Sequence, residues 1–155
     1  MGLGCKNRFM RVASLFVIAL AVGCGGEPPL PDAYPASGRV LLDGKPIEGV
    51  SVTLLPQAGV PGRGGYGVTD ANGAFSITSV EGQDGVQPGK YKVVFQKLAQ
   101  PDGSPIPPGA TAADVGAENI LPPAYNSPEM CTTFADIQAG TNPEMEFDLD
   151  SKRKR

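Results

Sequence analysis

The chain reads as all-β, a single antiparallel β-sandwich of about seven strands, and three observations lead there. Apolar and polar residues alternate over short stretches, the period of a strand with one buried face. Turn dipeptides separate those stretches, Asp43-Gly44 and Asn72-Gly73 foremost. The 21 Gly and 16 Pro are dispersed between the apolar runs, which punctuates strands and discourages helices. Short strands with turn signals between them form the pattern of a sandwich.

The first expected strand, residues 38–42, ends at Asp43-Gly44. The second, 49–56, alternates Val50, Val52 and Leu54 with Ser51 and Thr53. A Gly-rich loop over 57–65 precedes a short strand at 66–69. That strand runs into Asp70-Ala71-Asn72-Gly73, a turn with glycine where positive φ is least unfavourable. Residues 74–78 place Phe75 and Ile77 on one face, and 90–97 do the same with Tyr91, Val93 and Phe95. Residues 132–137 read as a strand whose buried face the pattern leaves open, because Phe134 and Ile137 fall on opposite sides. The cleanest alternation is at 144–150. Met145, Phe147 and Leu149 point inward there, with Glu144, Glu146, Asp148 and Asp150 outward. That acidic face suits an edge strand, where charge discourages pairing with another chain. Residues 99–119 carry no period and exceed the usual loop length, which marks them as functional or mobile.

Ahead of these strands, Lys6, Arg8 and Arg11 precede an apolar run over 12–22 that stops at Gly23-Cys24. Charged start, apolar core and small residue before Cys follow the order of a secretory signal. The run is short for a transmembrane helix. It resembles the lipobox of bacterial lipoproteins, in which the Cys is lipidated on its thiol. Here Leu20 stands one place early, and Ala21 occupies the position where Leu is commonest. Cys5 precedes the apolar core and is no cleavage site. The expectation is a signal peptide over 1–23, a lipid anchor to the membrane on Cys24, and a Gly/Pro-rich tether through residue 35. The sandwich follows over 36–150 and a basic tail over 151–155. An ordinary secretory peptide cut nearby, or a buried apolar segment, is the alternative. Gly25 follows Cys24 in place of the Asp that marks inner-membrane retention in some bacteria. Cell-envelope placement at the outer membrane is therefore favoured.

Composition limits what such a domain does. Residues 24–150 hold six of the 13 Lys/Arg and all 16 Asp/Glu, a net charge of −10, which argues against a nucleic-acid partner. The basic residues 152–155 can touch an anionic surface or remain a solvated charge run. With Cys24 lipidated, Cys131 has no partner, so no disulfide framework is expected and Cys131 stays a free thiol. There is no His, which removes Ser-His-Asp and Cys-His chemistry and histidine-ligated zinc. Asp70 and Asn72, with Asp84 from a neighbouring loop, are weak candidates for calcium. Calcium takes six to eight oxygens, and turns favour Asp and Asn for their own reasons. No metal and no cofactor is therefore assigned.

The run from Gly38 to Leu54, then Thr69-Asp-Ala-Asn-Gly-Ala-Phe75, then Pro88-Gly-Lys-Tyr-Lys-Val93, resembles the carboxypeptidase regulatory-like domain. This is a transthyretin-like β-sandwich related to the collagen-adhesin B-type repeats. The match covers roughly residues 36–97 and departs at Val50, where Ala is more usual and the apolar character is kept. Residues 121–125 with Pro128, and Glu146-Phe-Asp-Leu149, look like the C-terminal half of small bacterial lipoproteins carrying this domain. The resemblance implies the fold and names no ligand. Transthyretin-like hydrolases depend on His, so their chemistry does not carry over. The expected function is a non-catalytic binding, adhesion or structural module, with an envelope protein or a polysaccharide as partner. A carbohydrate-binding or calcium-assisted surface module is the alternative. The candidate contact surface is the 99–119 loop with residues 121–128. Tyr125 there is either a contact residue or a core residue that closes the sandwich.

Overall fold

Alternation becomes strand at each expected stretch in the computed structural model, which describes Met1, Pro29 and residues 31–153. Residues 2–23 of the signal segment, Cys24, and residues 25–28 and 30 of the tether lie outside the described residues. In chain order the strands are β1 (Ser37–Leu42), β2 (Lys45–Pro46), β3 (Ser51–Pro56), β4 (Gly65–Val68), β5 (Ala74–Ser76) and β6 (Thr78–Ser79). They continue with β7 (Gly89–Gln96), β8 (Leu98–Ala99), β9 (Glu118–Asn119), β10 (Phe134–Ile137) and β11 (Met145–Leu149), and one short helix, α1 (Pro123–Asn126), precedes β10.

The strands form two sheets that share a core. One is ordered β11-β1-β2, with β5 also on β1, and the other runs β10-β7-β3-β4-β6. A two-residue ribbon, β8-β9, stands apart. β1 and β2 join through a two-residue turn in which Asp43 has φ 52 and Gly44 φ 76. Two successive positive φ angles twist the turn in the same sense as the strands. Asp70 tightens the second turn. Its Oδ1 accepts the N–H groups of Asn72 and Ala74, and Gly73 takes the positive φ.

Two features depart from the expected pattern. The 74–78 stretch is split at Ile77: β5 belongs to the β1 sheet and β6 to the other. The chain switches sheets there, with Ile77 buried between them. The sandwich is also not purely antiparallel, because β11 pairs with β1 in parallel, Gly38 opposite Met145 and Leu42 opposite Leu149. The linker between β10 and β11 explains this. Asn142 Nδ2 donates to the carbonyls of Gln138 and Pro35, and Asn142 Oδ1 accepts the Gln138 N–H. The linker is thus pinned at the end of the sandwich where β1 begins, and β11 leaves that end in the same direction as β1.

Both sheets turn their alternate residues inward. Val40 and Leu149 meet Val52, Leu54, Val93 and Phe95 in one core. Phe147 links the layers, edge-on to Phe95 at 5.1 Å and stacked near Phe75 at 6.3 Å. Offset and edge-on aromatic pairs add to what their buried area contributes. β4 inverts the usual arrangement. Gly65 and Gly67 face the core while Tyr66 and Val68 face solvent. A Cβ at Gly67 would fall on the Ser76 carbonyl, so the sheet switch leaves no room for a side chain there.

The strand directions give the molecule two poles. At the proximal pole Tyr34 exchanges two backbone hydrogen bonds with Val86, and the chain enters β1. At the distal pole β1 and β11 end, β3 starts and β7 runs out into the 98–119 excursion.

Candidate binding surfaces

The 98–119 excursion is closed at its base by the β8-β9 ribbon, Leu98 opposite Asn119. Asn119 pins its return: the Oδ1 atom accepts the N–H groups of both Lys97 and Leu121. Beyond the ribbon the segment folds on itself. Asp102 accepts from the Ser104 hydroxyl and N–H, and Asp114 from the Thr111 hydroxyl and N–H. These bonds hold both carboxyls below the usual carboxylate range, the hydroxyl bond being the larger cause in each. The segment is thus a surface excursion closed at its base and held by its own turns. Between it and the start of β3 lies a half-open cleft of about 550 Å³, lined by Glu48, Gly49, Lys97, Leu98, Ala99, Gly103, Pro105 and Ile106. Lys97 Nζ donates to the Glu48 carbonyl on its wall.

Residues 121–125 contribute less surface than expected. Leu121, Ala124 and Tyr125 are buried, and Tyr125 is 3 % exposed. Its ring sits edge-on to Phe95 at 6.4 Å, and its hydroxyl accepts the Asp150 N–H at 3.0 Å. Arg153 lies over the outer side of the ring, 5.1 Å from its centre. Tyr125 is therefore placed as a core residue that closes the distal pole and ties down the end of β11. A direct contact through this ring is not open to a partner.

The calcium candidates do not converge. Asp70 lies in the turn after β4, where the N–H of Ala74, then that of Asn72, holds its carboxyl below the usual range. Asp84 sits beside Gly85 at the opposite end of β4, where Gly85 bridges Thr78. Among the described residues no three Cys, Asp or Glu side chains gather as a metal site would require. Cys131 is buried, and its S–H donates to the Val93 carbonyl at 2.8 Å.

One surface was not foreseen from the pattern. The outer face of the five-stranded sheet carries Tyr66, Val68 and Phe134, each more than half exposed, and Val80 at 43 %. Phe134 stands opposite Lys92, and Lys92 opposite Leu55. In the next row Val94, Thr53, Tyr66 and Thr78 stand side by side across four strands. Lys92 Nζ lies 5.9 Å from the Phe134 ring centre and donates to the Pro128 carbonyl. A shallow hollow of about 470 Å³ opens beside Phe134, lined by Lys90, Phe134, Ala135 and Asp136. The signal for this face was present in β4, where glycines alternate with Tyr66 and Val68. Only the close approach of Ser76 and Ile77 decides that the glycines turn inward.

The polar groups inside the sandwich are structural. Tyr91 donates its hydroxyl to the Gln87 carbonyl at 2.7 Å, and burial, aided by the charge of Glu81, pushes its phenol up to about 12. Gln87, fully buried, donates to Gln83 Oε1 at 3.0 Å. Among the described residues no helix is long and apolar enough to cross a membrane. The architecture is that of an all-β sandwich with one open sheet face and one polar excursion. No family model, curated protein or solved structure matches the chain.

Proposed function

We propose that this protein is a cell-envelope lipoprotein, anchored through Cys24, whose sandwich acts as a non-catalytic binding, adhesion or structural module of the carboxypeptidase regulatory-like kind. The polarity of the fold is the observation that carries the reading. The chain joins the sandwich at Tyr34, and the 98–119 excursion rises from the opposite pole. Nine residues, ten steps of the backbone, separate Cys24 from Tyr34, a reach of up to about 35 Å when extended. A module tethered in this way holds its excursion away from the anchoring membrane. The lack of His supports a non-catalytic role, as does the use of exposed carboxylates to cap turns.

The test is fractionation and chemical crosslinking in intact cells, wild type beside Cys24→Ser. Wild type is expected in the membrane fraction, with a recurrent crosslinked partner captured from a photoreactive residue at position 106. Cys24→Ser is expected in the soluble fraction without that partner. Identical partition of the two chains would overturn the anchor, and crosslinking confined to a photoreactive residue at position 35 would overturn the assigned polarity.

A further inference from the structure

We infer that the outer face of the five-stranded sheet is a binding site for an acidic polysaccharide, with Phe134 and Tyr66 as stacking platforms and Lys90 and Lys92 as its cationic groups. This adds a second contact surface to the binding module proposed above and rests on that reading.

Three observations converge on this ligand. First, the face is apolar without a structural need to be. Tyr66 and Val68 lie outward while glycines serve the core, and Phe134 is 55 % exposed on a strand whose Ala135 and Ile137 already fill the inward positions. Large exposed apolar patches on a sandwich mark sites of interaction.

Second, the charge of this face opposes that of the body. The described strands place Lys90, Lys92 and Asp136 here, a surplus of positive charge, whereas on the outer face of the other sheet Glu146 and Asp148 on β11 outnumber Arg39 on β1. A domain with net charge −10 over residues 24–150 that gathers lysines beside exposed aromatic rings offers a local site for an anionic chain.

Third, the dimensions suit a narrow polymer better than a second globular surface. Five strands about 4.8 Å apart, from two to eight residues long, give a face of roughly 400 Å². A stable protein–protein interface buries about 800 Å² on each partner. Phe134 on β10 and Tyr66 on β4 are three strand spacings and two residues of rise apart, about 16 Å, a separation that a few linked pyranose rings span.

The chemistry of a uronic acid residue matches the hollow beside Phe134. The C–H face of the sugar lies on the aromatic ring, its carboxylate meets Lys90, and Asp136 accepts from a hydroxyl. Gln138 Nε2 already donates to Asp136 Oδ1 at 2.7 Å, which fixes that carboxylate in place. Thr53 and Thr78 flank Tyr66 along the row and add hydroxyls for further sugar contacts.

The experiment is equilibrium binding of the full chain, purified in non-ionic detergent, to immobilised polygalacturonate, dextran and single-stranded DNA. Retention on polygalacturonate alone is expected. Phe134→Ala should weaken it roughly tenfold, the equivalent of one aromatic contact. Phe134→Trp should restore it, and Lys90→Glu should weaken it and flatten its salt dependence. Phe134 is exposed, so its variants are expected to unfold at the wild-type denaturant midpoint, which separates lost binding from lost folding. Equal retention on DNA and polygalacturonate, unmoved by Phe134→Ala, would reduce the face to a charge effect and overturn the proposal. No retention on any polymer would also overturn it. So would sedimentation as a dimer that Phe134→Ala dissociates, because the face would then belong to a second copy. None of these readouts involves Cys24, so the anchor and the ligand stand or fall separately.

Discussion

The two outer faces of the sandwich are built from the same alternation and finish with opposite characters. On β11, Met145, Phe147 and Leu149 turn inward and Glu146 and Asp148 outward, the arrangement that solvation favours. On β4 the larger apolar residues turn outward and glycines turn inward. On β10, Phe134 is outward although Ala135, much smaller, is inward. A core needs one apolar face per strand, and the five-stranded sheet supplies it with Val52, Leu54, Val93 and Phe95. Its second apolar face contributes nothing to that core. The comparison teaches that exposure against the pattern, more than hydrophobicity itself, marks the surface available for work.

The largest expected effect separates the two sides of one sheet. Phe95→Ala should destabilise the protein by about 3–5 kcal/mol, because Phe95 is fully buried and touches both Phe147 and Tyr125. Tyr66→Ala on the other side should stay within about 0.5 kcal/mol. Chemical denaturation of both variants reads this directly, and equal losses would break the comparison.

The proximal pole offers a smaller change. Gly85 has φ 90, and a Cβ there would fall on the Tyr34 carbonyl. Gly85→Ala should destabilise by about 1–3 kcal/mol, with faster hydrogen exchange at the Val86 amide that pairs with Tyr34. At the distal pole Tyr125→Phe removes the acceptor of the Asp150 N–H, a loss of about 1 kcal/mol in thermal unfolding. Its binding at the sheet face should be unchanged.

Acid should produce the smallest and broadest effect. Asp43 is held below its ordinary value of 3.8, first by the Ser151 side chain and then by the Ser151 N–H. Asp70, Asp102 and Asp114 are lowered as well. A depressed carboxyl stabilises the folded state above its unfolded pKa, and that contribution fades as pH falls through the folded value. Stability should therefore be flat above about pH 5 and decline below about pH 4. Asp43→Asn should shallow that decline in urea titrations run at stepped pH, and an unchanged slope would remove Asp43 from the account.

Local chemistry made much of the fold legible. Asp43-Gly44 specified its turn because two positive φ angles in a row exclude most other pairs. The inward sets on β3, β7 and β11 followed from period-two alternation. The candidate surfaces were less legible. Residues 99–119 stood out by length and lack of period, yet the β8-β9 ribbon and the Asn119 anchor at their base involve two-residue pairings too short to leave a pattern. Tyr125 carried no local sign of whether its ring faced in or out. Its burial depends on Phe95 and Asp150, 25 to 30 residues away in sequence.

The sequence by itself determined where strands and turns lie, which side of most strands is apolar, and that no histidine chemistry is available. The lipoprotein reading of Cys24 also rests on sequence alone. These are local properties, written in spacing and side-chain type. The tertiary structure decided the direction of β11, the sheet switch at Ile77, the separation of Asp70 from Asp84 and the outward turn of Tyr66 and Phe134. Each depends on which distant segment arrives beside a strand. A period-two pattern states that one face is buried, and it does not state which neighbour buries it.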